Sequence, residues 1–329
     1  MSVPLSILDL ATIGRGKTVR DALDGSVALA RQAEASGYRR VWYAEHHNLR
    51  SIASSATSVL IAHIAANTQS IRLGSGGIML PNHTPLTIAE QFGTLESLHP
   101  GRIDLGLGRA PGSDQNTRRA LRRDPTAADS FPQDVQELQA FLGSESLIPG
   151  VKAIPGEGTD VPLYILGSSL YGATLAAALG LPFGFASHFA PSSLEEAVAT
   201  YRRTFRPSAQ ADRPWVIAGV NVVAADTEAD AQDQALQARR SRVAHFLAPG
   251  ETLTPEQADR ILESPQGQQL RAMTKYSAVG TPGQVRDQLA EFARHADADE
   301  LIVVHQSPTL EARLRSVELL ADATGLAAA

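Results

Sequence analysis

The chain has 329 residues, 43% hydrophobic and 19% charged, with a formal net charge of −6 and no cysteine. That length can bury a large core, and the charge gives no electrostatic case for nucleic acid or an anionic membrane. The lack of cysteine excludes disulfides, thiolate catalysis and iron–sulfur ligation.

The first run, Val3-Pro4-Leu5-Ser6-Ile7-Leu8-Asp9, is strand-like and has no basic leader. No stretch reaches the ~18 apolar residues of a membrane span. The expectation is a cytoplasmic protein with a single domain over 1–329.

Further strand-like runs begin near Arg40, Ile71 and Arg102, a spacing of roughly 31–35 residues that matches one βα unit. Helical patterns fill the gaps at 18–36, 54–67 and 85–98, the first closed by Gly37 and the last opened by Pro85. After Gly108 the rhythm breaks. Residues 110–160 are rich in Arg, Pro, Gly and Asp, with one helix expected over 131–142. Strands resume at 162–166, 182–186 and 215–224, and a helix is expected at 170–179. A second excursion, 246–277, precedes a helix at 282–294 and a last strand at 300–305. Eight strands alternating with helices indicate an α/β fold, a (β/α)8 TIM barrel with insertions after strand 4 and before strand 8. A doubly wound open sheet competes, but the chain has no dinucleotide fingerprint: Gly106-Leu107-Gly108-Arg109-Ala110-Pro111-Gly112 has the wrong spacing, and no helix follows it directly.

Barrel enzymes work at the C-terminal ends of their strands. The second strand ends on Glu45-His46-His47, a carboxylate and two imidazoles suited to proton transfer near neutral pH. The first strand ends at Asp9, and histidines also stand at the ends of strands 3, 6 and 8 as His83, His188 and His305. Each alone could be a satisfied structural histidine; together they indicate a polar pocket. Side chains alternate along a strand, so His46 and His47 cannot both face inward. Without cysteine or a His-x-x-x-His pair, no metal site is expected.

Gly74-Ser75-Gly76-Gly77 marks a bulge, a close approach of backbone to a flat ligand, or a tight barrel without room for side chains. Gly167-Ser168-Ser169 leaves a strand and opens a helix. It offers an anion free N–H groups, a favourable dipole and two hydroxyls, unless Ser169 is an ordinary N-cap. Arg109, at the neighbouring strand end, could bind the same phosphate. The cluster Arg118-Arg119-Ala120-Leu121-Arg122-Arg123 reads as a solvated helical surface.

Trp42-Tyr43-Ala44-Glu45-His46-His47, Leu73 to Pro81, Gly101 to Arg109, and Val279-Gly280-Thr281-Pro282 resemble, in order and spacing, the bacterial-luciferase-like flavin monooxygenases. The likeness extends over nearly the whole chain and is greatest to a branch carrying Arg-Ala-Pro-Gly-Ser-Asp, here Arg109 to Asp114. It implies FMN, supplied reduced by a separate reductase, and a C4a-hydroperoxide that oxygenates an aldehyde, ketone or aromatic. By the resemblance, Arg109 and Ser169, with Gly167 and Ser168, hold the FMN phosphate. Gly76-Gly77 matches a non-prolyl cis peptide beneath the flavin. His46 matches the catalytic histidine, oriented by Glu45. Asp9, His83 and His188 are expected to contact substrate. Ser168 and Gly172 stand where luciferase has a glutamate and a threonine, and Gly108 where it has a cysteine. Residues 246–277 match a mobile lid, and the helices at 54–67 and 85–98 match a dimer interface. Competing functions are a deazaflavin-linked reductase, an NADH- or NADPH-cycling flavin reductase and a non-catalytic flavin-binding protein.

Overall fold

The computed structural model describes residues 3–110, 114–124, 126–248 and 251–326. Nine parallel strands form one sheet: β1 (Leu5–Asp9), β2 (Arg40–Tyr43), β3 (Arg72–Met79), β4 (Ile103–Gly108), β5 (Leu163–Gly167), β6 (Phe183–Phe185), β7 (Val216–Ala224), β8 (Ser277–Gly280) and β9 (Glu300–His305). Their order is β6-β5-β4-β3-β2-β1-β9-β7-β8, and β6 also pairs with β7. That pairing closes a ring of eight, with β8 outside it. The eight strands expected from the sequence are the eight of the ring, with the expected eighth being β9.

β7 explains the extra strand. Its first six paired residues, Ile217 to Val222, run beside β9, while Asn221 to Ala224 pair with β8. β8 is four residues long and half exposed, too short for a period to show in sequence.

Alternation divides the ring into two surfaces. Outward side chains such as Ile7, Val41, Leu73, Leu105 and Ile165 pack against helices in the main core. Inward ones, including Leu8, Trp42, Tyr164, Ile217, Ile302 and Val304, form a separate apolar plug. Below the plug, at the strand N-termini, lies a buried charge network. Arg40 donates to Asp104 and to the Tyr164 hydroxyl, both at 2.8 Å, and to Glu300 at 3.3 Å. Asp104 also accepts from Arg72 at 2.5 Å and from the Trp42 indole at 3.1 Å. Glu300 accepts from Ser6 at 2.5 Å and from Trp215 at 3.2 Å.

Between the strands run α1 (Val19–Ala35), α2 (Thr57–Ala65), α3 (Pro85–Leu98), α4 (Gln115–Ala120), α5 (Phe131–Leu142), α6 (Leu170–Leu179), α7 (Leu194–Thr204), α8 (Glu228–Phe246), α9 (Pro255–Glu263), α10 (Pro265–Met273), α11 (Pro282–His295) and α12 (Leu310–Thr324). The excursion expected to form a lid is largely helical. Thr254 and Gln257 make a capping box that starts α9, and the Ser264 hydroxyl caps α10. Val243, Ala258, Leu262 and Leu270 pack together, and Arg240 grips Asp259 at 2.8 and 2.5 Å. The segment is thus two helices docked on α8 rather than a loop. No helix among the described residues is long and apolar enough to cross a membrane.

Candidate active site at the barrel mouth

β2 sets the first part of the site. Trp42 and Ala44 belong to the inward plug, and Glu45, His46 and His47 follow in irregular chain past the end of β2 at Tyr43. Glu45 is buried against the turn after β3. It accepts from the Met79 N–H at 2.9 Å, from Asn82 at 3.2 Å, and from the ring nitrogens of His47 at 2.9 Å and His83 at 3.0 Å. Burial alone would raise its carboxyl, but the bonds from His47 and His83, the His83 charge and the Met79 N–H outweigh burial and hold it at about 2. Its bond in turn raises His47.

This corrects one expectation. Glu45 does not orient His46 by hydrogen bond; it holds His47 and His83, and acts on His46 through charge alone. Nδ1 of His46 is buried without a hydrogen-bond partner. Burial lowers the His46 imidazole, His47 and His245 push it the same way, and the Glu45 charge opposes them. At pH 7 it is predominantly neutral.

His188 sits across the mouth. Its carbonyl accepts from Asn221 at 2.7 Å, and its ring lies where a Cβ on Gly219 would stand. Gly219 and Asn221 are two apart on β7 and share one face; one leaves the space and the other fixes the backbone. Burial, then Arg242 and His46, push the His188 imidazole down to about 3. Nδ1 of His188 and Oδ1 of Asn221 are buried without partners. Arg242 reaches Gln306, just past β9, at 3.3 Å, and His245 bonds Ser51 at 3.1 Å. Burial lowers both, and for His245 the Arg242 charge adds to it.

Arg242, His245, Asn221 and Gln306 were missed from sequence. A rule that searches strand ends does not look at the C-terminal turns of α8. The available signal was Arg242 and His245 three apart on one helix face.

The third part lies at the ends of β4 and β5. Arg109 follows β4, and its guanidinium stacks 4.0 Å from the ring centroid of Tyr171, in the first turn of α6. Ser169 occupies the N-cap position but makes no side-chain cap bond, so the ordinary serine cap is not formed. Ser168, Ser169 and Arg109 are exposed, beside the first, unpaired N–H groups of α6. Gly172 is buried where α6 crosses β5; a Cβ there would come within 3.4 Å of the Gly167 Cα and 3.2 Å of Phe183. Pro111, Gly112 and Ser113 of the Arg109–Asp114 motif lie outside the described residues.

The glycines of β3 combine two of the earlier readings. The Gly76-Gly77 peptide is cis, and the register with β4 slips between Ser75 and Ile78, so a bulge is present. A Cβ on Gly76 would lie 2.6 Å from Leu8 Cδ1, and one on Gly77 would lie 2.7 Å from Leu166 and 2.8 Å from the Gly106 carbonyl. Crowding within the barrel therefore accounts for the missing side chains.

Two expected residues point away from the mouth. Asp9 accepts from Ser26 of α1 at 2.5 Å and the Ala11 N–H at 3.1 Å, with Arg313 of α12 at 3.6 Å. Its carboxylate joins the strand to the helical layer and is removed from the substrate set. His305 bonds Ser316 of α12 at 2.8 Å, also outside the ring. His83 is likewise committed to Glu45 at the rim. Of the strand-end histidines, His46 and His188 share the mouth. Among the described residues, no group of His, Asp or Glu is arranged to hold a metal ion.

The sequence profile of the luciferase-like monooxygenases matches residues 3–299. The chain belongs to that family. A luciferase-like monooxygenase of Escherichia coli (strain K12) is 48% identical over 326 residues, 98% of this chain and 97% of that protein. The N-acetyl-S-alkylcysteine monooxygenase of Bacillus subtilis (strain 168) is 33% identical and aligns over 98% of each chain. Among solved structures, apo-MsnO8 matches with a TM-score of 0.86 at 37% identity, covering 98% of this chain and 99% of that one. As a luciferase-like monooxygenase the protein is an enzyme.

Proposed function

We propose that this enzyme is an FMN-dependent monooxygenase that receives reduced FMN from a separate reductase and uses O2 to oxygenate a small organic substrate. The observation that carries the reading is the uncapped N-terminus of α6, with Ser168, Ser169 and the stacked Arg109 at the same rim as His46. These groups fit a phosphate: a dianion there gains N–H donors, hydroxyls and a guanidinium held in place by Tyr171. The flavin ring is proposed to lie over the Gly76-Gly77 backbone, which packs against Leu8, Trp42 and Leu166 and carries no side chain of its own.

When bound, reduced FMN supplies the electrons that activate dioxygen. His46 acts beside it as a neutral imidazole whose buried, unpartnered Nδ1 can accept or return one proton. His188 and Asn221 line the substrate side. Glu45 has a positioning role, anchoring the turn after β3 and the rings of His47 and His83. An aldehyde, ketone or aromatic fits the oxygenation chemistry. The Bacillus relative adds a thioether sulfur to these candidates.

We also propose a homodimer through α2 and α3. Ser58 bonds Gln91 at 2.8 Å and ties the two helices together, while Val59 and Leu98 stand 68% and 65% exposed.

The test is anaerobic titration of the wild type and Arg109→Ala with reduced FMN and reduced riboflavin, followed by oxygen uptake. The expected result is FMN-dependent uptake, with Arg109→Ala weakening FMN by about tenfold or more while riboflavin barely changes. Preference for a deazaflavin over FMN would support the reductase reading. Tight flavin binding without oxygen-dependent turnover would support a storage role.

A further inference from the structure

Arg40 and Arg242 differ in their partners. Arg40 meets two carboxylates. Arg242, half-buried on the last turns of α8, meets only the neutral amide of Gln306, at 3.3 Å, and no carboxylate among the described residues. Its charged surroundings add to the imbalance. His188 and His245 lie within its field, and Arg239 and Arg271 line the cleft beside it, together with Leu262, Leu270 and Thr274. A guanidinium withdrawn from water without an anion is held at a cost. Three polar atoms around the same mouth, His46 Nδ1, His188 Nδ1 and Asn221 Oδ1, are also buried without partners.

We propose that Arg242 is the specificity residue for an anionic group on the substrate, a carboxylate in the simplest case, and that it holds the substrate between α8 and His46. The inference rests on the monooxygenase reading above and adds the substrate class to it. Arg242 lies over the ends of β6 and β9, where it neighbours His188 and Gln306. Arg109 lies at the ends of β4 and β5. The mouth thus carries two separate cationic anchors: Arg109 at the α6 N-terminus takes the cofactor phosphate, and Arg242 takes the substrate anion. The planar fork of Arg242 suits a carboxylate held through two bonds. Gln306 accepts one bond from the fork without neutralising it. His188, kept neutral by its burial and by Arg242 itself, adds a polar contact without a competing charge.

The experiment measures binding of 4-(methylsulfanyl)benzoate and its uncharged amide by calorimetry. Wild type, Arg242→Gln and Arg242→Lys are compared, each with and without FMN. Wild type should prefer the carboxylate by about tenfold or more. Arg242→Gln should abolish that preference, Arg242→Lys should restore part of it, and neither should change FMN affinity. Equal binding of the acid and the amide to wild type, or no binding of either, overturns the proposal. So does an Arg242→Gln variant that loses FMN but keeps riboflavin, because the anion at Arg242 would then be the cofactor phosphate. A wild type that fails to prefer FMN over riboflavin contradicts the monooxygenase reading instead, and the carboxylate arm without FMN still decides the role of Arg242.

Discussion

The two ends of the barrel treat buried charge in opposite ways. At the base, the cations of Arg40 and Arg72 face the anions of Asp104 and Glu300, and Tyr164, Trp42, Ser6 and Trp215 take up further bonding capacity. At the mouth, Arg242 and three histidines gather with no carboxylate facing the arginine, and three buried polar atoms lack partners. The base is built from residues of β1, β2, β3, β4, β5 and β9 together with Trp215, whereas the mouth combines Asn221 of β7 and residues just past β2, β6 and β9 with Arg242 and His245 of α8. A network in which each cation faces an anion holds the ring together and offers little to a ligand. An incomplete one costs stability and leaves donors and acceptors for a visitor.

The largest expected effect lies at the mouth and concerns rate alone. His46→Ala should keep FMN binding and lower oxygenation by about 10²–10⁴-fold; unchanged turnover with reduced flavin would remove His46 from the mechanism.

At the base the effect should be on stability. Asp104→Ala strips Arg40 and Arg72 of their shared partner and should cost about 3–5 kcal/mol in urea unfolding. Arg242→Gln, at the mouth, should cost little or add stability. Similar losses for the two variants would erase the contrast between the ends.

Acid should separate the regions further. The His188 imidazole is depressed from 6.5 to about 3 in the fold, so the unfolded chain binds its proton first. Stability should therefore fall as pH drops from about 6.5 toward 3, with His46 and His245 contributing in the same direction. Glu45 is depressed from 4.5 to about 2, so its contribution is complete above 4.5 and is lost on going down toward 2. His188→Asn should flatten the upper part of the profile, and Glu45→Gln the lower part. Profiles unchanged in both variants would contradict the assigned environments.

The smallest effect should come from Val59→Glu on the exposed face of α2. It should shift sedimentation from dimer to monomer with little change in melting temperature, and a wild type already monomeric at micromolar concentration would end the dimer proposal.

The barrel was legible because parallel strands covered on both faces read as short apolar runs at a regular spacing, as Val216–Ala224 does. α5 was expected over about the residues it occupies, Phe131–Leu142. α9 and α10 were not found, because they are nine residues each, begin on proline and are rich in Gln and charge. At the site, alternation along β2 does not reach His46 and His47, because the strand ends at Tyr43. What Glu45 would bind was not legible, since its partners come from the turn after β3, whose path depends on the slip at Gly76-Gly77. Asp9 showed the limit of the strand-end rule: it lies at the end of a strand but on the outward face, where Ser26 claims it.

The most direct test of the contrast between the ends is a crystal structure with FMN bound. The phosphate should lie within hydrogen-bonding distance of Arg109, Ser169 and the first N–H groups of α6, with the ring over Gly76-Gly77 beside His46. A phosphate beside Arg242, or a flavin bound anywhere but the mouth, would contradict it.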